Sequence, residues 1–322
     1  MEKSPEQAES LMNSAFELIE EEEYDEAMKI AEKLKEMRHS SNFEIRAIIY
    51  RNQGDNQKAI TVLEEGVQRA PKVWRLWQLL GNIYSDETCY DKAQHCYQSA
   101  LKQPNVNESS VYLNSSIAYQ RAKQYTAALV AVERMNDKSL ALKAAAQKIE
   151  LLASLERFSE AIDLGVQIIN SDLWSNDLYE PEDLASIYSA LSMAYFNFKE
   201  LNKAIDFAWK AIQTYKNNSQ AAWHIREIEN QYSKNSKGFR IMLEGTWHFP
   251  FEDETDCPGF FTNYDVVAEN EEEALLFMKR FEPEEVRSSL KITEAEVICD
   301  APDQPKGIYS TSGYSFFPQK ET

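Results

Sequence analysis

Along the first 236 positions the large apolar residues recur at helical spacing, three or four apart, and not in alternation. The clearest stretch is WQLLGNIYSDETCYDKA, Trp77 to Ala93, where Gly81 stands three residues before Tyr84 and Ala93 nine residues after it. The same offset of nine links Tyr50 to Ala59, Tyr119 to Ala128 and Tyr195 to Ala204, and weaker versions link Leu18 to Ala27 and Leu152 to Ala161. The closing alanines at 27, 59, 93, 128, 161 and 204 are 32, 34, 35, 33 and 43 residues apart. A period near 34 with one insertion predicts six antiparallel helix pairs, none of which buries its apolar face without a neighbour. Small residues such as Gly81 and Ala93 are needed where paired helices cross closely, and Tyr84 and Tyr97 fill the wider gaps beside the crossing.

Trp77, Leu80, Gly81, Tyr84, Ala93, Tyr97, Ala100 and Pro104 together resemble the tetratricopeptide repeat. The second copy keeps Tyr50, Ala59, Leu63 and Pro71, with Ala47 in place of the glycine and Phe43 in place of the tryptophan. The sixth keeps Tyr188, Leu191, Tyr195, Ala204, Ala208 and Ala211, while the first and fifth are degenerate. The resemblance implies a mostly α fold, a right-handed solenoid of helix pairs whose concave groove binds a peptide or protein. Some such domains clamp a C-terminal carboxylate through Lys, Asn, Asn, Lys and Arg, and the register of the third copy puts Gln78, Asn82, Asn114, Lys143 and Gln147 at those places. Two of the charges are missing, so the expectation is general peptide contact around Arg75, Asn82, Asn114, Arg121 and Lys143.

The insertion Ser171 to Asp183 is expected to lengthen a turn or the second helix of the fifth pair, and NNSQAAWHIREIENQYSKN to form a solvent-facing capping helix. From Gly238 the period changes. FRIMLEGTW and YDVVAE read as strands, NEEEALLFMKRF as a helix capped by Asn270, LKITEAEVIC as a strand and GIYSTSGYSFFP as a strand or hairpin. This β-β-α-β-β order predicts a small antiparallel sheet with one helix on a face, giving domains 1–236 and 237–322. GFFTNYDVVAENEEEAL with SGYSFF is similar to a small bacterial α+β domain of unassigned activity.

Charge changes the picture most in that second part. The chain carries 53 acidic and 34 basic residues, net −19, and 18 acidic against 7 basic residues fall after Lys237. Such a surface repels nucleic acid and anionic lipid. Four scattered cysteines, Cys89, Cys96, Cys257 and Cys299, form no C-x-x-C pair and point to a reducing compartment. No signal peptide or membrane run opens the chain, so the expected place is the cytoplasm.

Catalytic signals are sparse. His39, His95, His224 and His248 are the only histidines, Cys89, His95 and Cys96 lack zinc-ligand spacing, and the loop around Cys257 is too acidic to favour a thiolate. The cluster Glu252, Asp253, Glu254 and Asp256 lacks the spacing of a calcium loop. Phosphate-loop, dinucleotide and hydrolase motifs are absent, so no cofactor or metal is expected. The leading expectation is a non-enzymatic adaptor that binds a protein or peptide. The alternatives are an acidic terminal domain that neutralises a basic toxin, and a small-ligand or hydrolytic terminal domain using Trp247, His248 and Tyr264.

Overall fold

The computed structural model describes residues 5–171, 179–250 and 257–318. The predicted acidic cluster at 252–256 lies outside the described residues. Six helix pairs follow one another: α1 (Pro5–Glu20) with α2 (Tyr24–Glu36), α3 (Ser41–Asn52) with α4 (Asn56–Arg69), and α5 (Trp74–Asp86) with α6 (Tyr90–Ala100). Then come α7 (Glu108–Arg121) with α8 (Tyr125–Val132), α9 (Ala141–Ser154) with α10 (Phe158–Ile169), and α11 (Pro181–Asn197) with α12 (Leu201–Thr214). The chain divides into two compact units, Met1–Ala144 and Ala145–Thr322. No helix among the described residues is long and apolar enough to cross a membrane.

The offset of nine has a backbone cause. The carbonyl oxygens of Leu18, Tyr50, Tyr84, Tyr119, Leu152 and Tyr195 each accept from the N–H five residues on, at 2.8 to 3.0 Å, in the 6→1 bond that ends a helix in a Schellman turn. The residue before each donor, Glu22, Gly54, Thr88, Lys123, Glu156 or Lys199, is left-handed, with φ between 59° and 79°. The donor residue's own carbonyl then accepts the first bond of the next helix, from Ala27, Ala59, Ala93, Ala128, Ala161 or Ala204, at 3.0 to 3.1 Å. Five residues for the turn and four for the first helical bond fix the alanine's place, and all six alanines are 0% exposed.

The facing position, three residues before the large one, is small where the pairs cross tightly. A Cβ on Gly81 would lie 2.7 Å from the Tyr97 ring. In the fourth and sixth pairs the place is taken by Ser116 and Ser192, both wholly buried. Their hydroxyls donate to the carbonyls of Ala128 and Ala204, at 2.9 and 2.8 Å. A serine is therefore admitted at a dry crossing because its one polar group finds the closing alanine.

The insertion does not extend the fifth pair's second helix, because α10 ends at Ile169. Residues 172–178 of it lie outside the described residues. At its far side α11 begins with Pro181 at the first turn and a reciprocal cap between Glu180 and Asp183.

After α12 comes α13 (Ser219–Glu229), capped by Asn218, whose side chain accepts from the N–H of Ala221. It is not the solvent-facing cap that its sequence predicts. Ala221, Ala222, His224, Ile225 and Arg226 are buried, with Trp223 left exposed. The Arg226 guanidinium donates to the Ile308 carbonyl and sits 3.9 Å from the centre of the Tyr309 ring.

Strands β1 (Lys237–Thr246), β2 (Gly259–Ala268), β3 (Lys291–Asp300), β4 (Gly307–Thr311) and β5 (Ser315–Phe317) form one antiparallel sheet, with α14 (Glu271–Phe281) between β2 and β3 in sequence. The order is β3-β1-β2-β4, and β5 also pairs with β2. The aromatic C-terminal run is therefore one interrupted edge and not a hairpin: β4 covers Tyr264 to Val267, and β5 covers Gly259 to Phe261. Asn270 caps α14 as its sequence indicates, accepting from the Glu273 N–H. Backbone changes from helix to strand at Lys237, but the hydrophobic packing does not break there. Ala208, Ala211, Ile212 and Ile225 share one core with Ile241, Phe260, Tyr264 and Met278.

Two outcomes follow. Gly54 has open space around its missing Cβ and φ +79°, so backbone strain alone penalises a side chain there. Gly54→Val should cost about 1–2 kcal/mol, and Thr88→Gly, which relieves a β-branched residue at φ 59°, should raise the unfolding temperature of an otherwise unchanged chain. Burial holds the His224 imidazole down to about 4 from an ordinary 6.5. The folded chain thus keeps it neutral where the unfolded chain takes up a proton, and stability falls as pH drops from 6.5 towards 4. His224→Gln should remove about 3 kcal/mol of that fall, read as the difference between the two urea-unfolding pH profiles.

Candidate peptide-binding site

Within the first unit, the first helices of the second, third and fourth pairs bring opposite charges together. Asp86, at the end of α5, pairs with Arg51 of α3 and with Arg121 of α7, both at 2.7 Å. Arg121 also donates to the Ser85 hydroxyl at 3.3 Å. The partners stand 35 residues apart on each side, one repeat length. These three side chains line a cavity of about 230 Å³ together with Asn82, Asn114 and Tyr97.

The predicted asparagines are partly engaged. The Asn82 carbonyl oxygen accepts from the Tyr97 hydroxyl at 2.9 Å, which leaves its two amide donors. The Asn114 amide donates to the Ser110 carbonyl one turn back, at 3.0 Å, which leaves its oxygen as an acceptor. A donor and an acceptor on adjacent helices match the alternating polar groups of an extended backbone. Two guanidiniums around one carboxylate make the spot locally positive in an acidic chain.

The other predicted residues do not join this cavity. Gln78 is turned to Ser110, donating to its hydroxyl at 3.2 Å. Arg75 lies 5.6 Å from the Trp74 ring, and its charge opposes the rise that burial imposes on the Glu44 carboxyl. Lys143 is exposed on α9. Gln147, in the second unit, is only 8% exposed, so its side chain is packed and not offered on a surface. Arg51 and Asp86 escaped the sequence reading, although the spacing Arg51, Asp86, Arg121 of alternating charge at the repeat length was there to be seen.

Cys96 is buried and its thiol is pushed up to about 12, chiefly by that burial, whereas Cys89 and His95 are exposed. His95 and Cys96 line one cavity of about 600 Å³ with Trp77 and Tyr84, and Cys89 is not part of its lining. Among the described residues no group of three or more His, Cys, Asp or Glu side chains is placed to hold a metal ion.

In the second unit, Trp247 lines a cavity of about 490 Å³ with Lys216, Arg280, Glu282, Arg287 and Tyr314. Tyr264 lies beneath it at 1% exposure, and His248 is exposed beside Trp247 and outside the lining. The floor is a buried polar cluster. The Glu282 carboxylate, wholly enclosed, accepts from the Tyr264 hydroxyl, from the Tyr314 hydroxyl at 2.6 Å and from the Lys216 ammonium at 3.1 Å. Lys216 also donates to Thr262 at 3.0 Å and lies 3.6 Å from the Tyr314 ring centre. Burial lowers the Lys216 ammonium and Glu282 opposes that, while burial and then Glu282 push both tyrosine hydroxyls up. The cluster ties the chain after α12 to the sheet and to the end of α14. Its groups are spent on one another, so Tyr264 serves as a structural donor here.

Comparison with known proteins agrees with this architecture. Two family models described as tetratricopeptide repeat match, one over residues 184–218 and the other over 45–73 and 75–105. These are the sixth, second and third pairs, whose sequence patterns are the fullest. A tetratricopeptide repeat protein from Parabacteroides merdae is 13% identical, with a TM-score of 0.53 over 69% of this chain and 86% of that one. The Cut9-Hcn1 hetero-tetramer structure gives 16% identity and a TM-score of 0.51 over 70% of this chain but only 42% of the matched chain. PilF of Pseudomonas aeruginosa gives 13% identity and a TM-score of 0.50 over 69% and 96%. At these identities the likeness is one of fold. A sequence comparison with curated proteins gives no match.

Because Lys216 and Glu282 are 10% and 0% exposed, removing either strands the other's charge in the core. Lys216→Met should destabilise the second unit by about 3–5 kcal/mol, and Lys216→Met with Glu282→Leu by much less, as read by urea unfolding followed at the tryptophans. Equal losses in the single and double variants would count against a buried pair.

Proposed function

This chain carries tetratricopeptide repeats, and we propose that it is a non-enzymatic adaptor that holds an extended peptide segment with an acidic group at the Arg51–Asp86–Arg121 cavity. Repeats of this kind serve protein and peptide binding in general. The observation that carries the finer reading is the pair of guanidiniums sharing a single carboxylate beside Asn82 and Asn114. A ligand carboxylate completes the charge balance there with bonds of the stronger, charge-assisted kind. Asn82 and Asn114 hold the neighbouring main chain, and Tyr97 orients Asn82.

The cavity takes one or two residues, so the rest of a ligand runs along the exposed first helices, where Arg75 and Lys143 stand. Mixed sign recommends an extended ligand with one placed acid over a uniformly acidic one, because a chain of net −19 repels the latter.

Selection of 12-residue peptides from a random library on the full chain tests this. Selected peptides should share Asp, Glu or a free C-terminal carboxylate at one aligned position. Arg51→Ala with Arg121→Ala should weaken them about tenfold or more, which is 1.4 kcal/mol. Asn82→Ala with Asn114→Ala should weaken them several-fold while leaving the acidic preference intact. Selected peptides with no acidic position, or binding untouched in the asparagine variant, would remove the reading.

A further inference from the structure

The long edge of the sheet is open. Strand β3 runs ten residues, Lys291 to Asp300, and pairs with β1 on one side only; among the described residues no strand lies on the other. Nine of its ten residues are exposed, including Val297 at 52% and Ile298 at 49%. The pairing with β1 shifts register at Thr293 and at Ile298, so the regular part of the edge is Glu294–Val297; it has no proline and exposes Val297, and such an edge is a template for another strand unless something blocks it.

The two faces beside that edge differ. Opposite residues in the ladder share a face, so Ala295 and Val297 lie on the α14 side with their partners Ile241 and Phe239. Glu294 and Glu296 lie on the other side with Met242 and Arg240. On the α14 side, Val297 stands at a cavity of about 560 Å³ lined also by Phe239, Glu269, Glu271 and Glu272, with Lys237 as its one cation. An added strand thus meets carboxylates on both faces and apolar surface at Val297.

That pattern selects the occupant. Antiparallel pairing of β3 with a second copy, centred on 294, 295 or 296, sets Glu294 or Glu296 against a glutamate of the other copy, and like charges directly opposite are destabilising. A strand with basic residues finds carboxylates in excess at these places, where Arg240 stands opposite Glu296, Lys237 lines the cavity and Lys306 pairs with Glu269 as the opposing cations.

We propose that the β3 edge is a docking site for a basic, extended segment of a partner protein, which adds to the sheet as a sixth strand. Its main chain bonds to the open edge of β3. One set of alternate side chains places Lys or Arg by Glu294 and Glu296, and the other packs on Val297 and reaches Glu269, Glu271 and Glu272. This surface is separate from the Arg51–Asp86–Arg121 cavity and does not depend on the reading given for it.

The test uses the full chain and a labelled nonapeptide, Lys-Val-Lys-Thr-Lys-Val-Lys-Thr-Lys, against the same sequence N-methylated at alternate residues in each of the two registers. Binding of the unmodified probe is expected, with hydrogen exchange slowed in β3 and not in the helical repeats. At least one methylated register should bind tenfold or more weakly, and so should the unmodified probe on Glu294→Lys with Glu296→Lys. Equal binding of all three probes would show attraction by net charge alone and overturn the proposal. So would a probe affinity unchanged by the Glu294/Glu296 variant, or slowed exchange confined to other segments. A dimer of the free chain that the probe dissociates, seen by sedimentation equilibrium, would assign the edge to a second copy instead.

Discussion

The turn inside each helix pair is the constraint on which the repeat depends. A large residue offers its carbonyl to an N–H five places on, the chain passes through one left-handed residue, and the donor's carbonyl starts the next helix. This sets the direction of the second helix and brings its alanine back to the first, against Ser116 in the fourth pair and Ser192 in the sixth. Only one of the six left-handed places is glycine, so the other five carry a conformational cost of about 1–2 kcal/mol each. Closure of the pair offsets that cost, since the alanine is fully buried every time.

Regular turns put equivalent positions side by side at the repeat length, and this builds the candidate site. Arg51, Asp86 and Arg121 meet because their helices stand in successive pairs. Both arginines remain 42–48% exposed, so such ion pairs add only about 0–1 kcal/mol each. Their placement therefore adds little to stability. The same reasoning reads Ser116 and Ser192 as structural, since each is buried and its hydroxyl is spent on a carbonyl.

At the other end of the chain the logic changes from repetition to enclosure. The Lys216–Glu282 pair is buried with two tyrosine hydroxyls and joins helix, loop and sheet. A cut at the helix-to-strand change, residue 237, would separate Lys216 from Glu282, Thr262 and Tyr314, and Arg226 from Tyr309. The sheet is exposed along β3, where acidic side chains flank an apolar strip, and enclosed along β4, where α13 packs.

By itself the sequence determined the six pairs, their period and the change of period near Lys237. Those depend on local bonds, on helical spacing and on small residues at crossings, and all of these are written within about forty positions of chain. That Asn82, Asn114 and Arg121 line one cavity was legible for the same reason, since the period aligns them. Tertiary structure decided what no period encodes. It buried Gln147, turned Gln78 to Ser110, and made α13 a joint where the sequence suggested a cap, because burial of an amphipathic face depends on what arrives from far along the chain. It also gathered Lys216, Thr262, Tyr264, Glu282 and Tyr314, separated by up to 98 positions, into one dry cluster where each charge is tolerated only because the others are present.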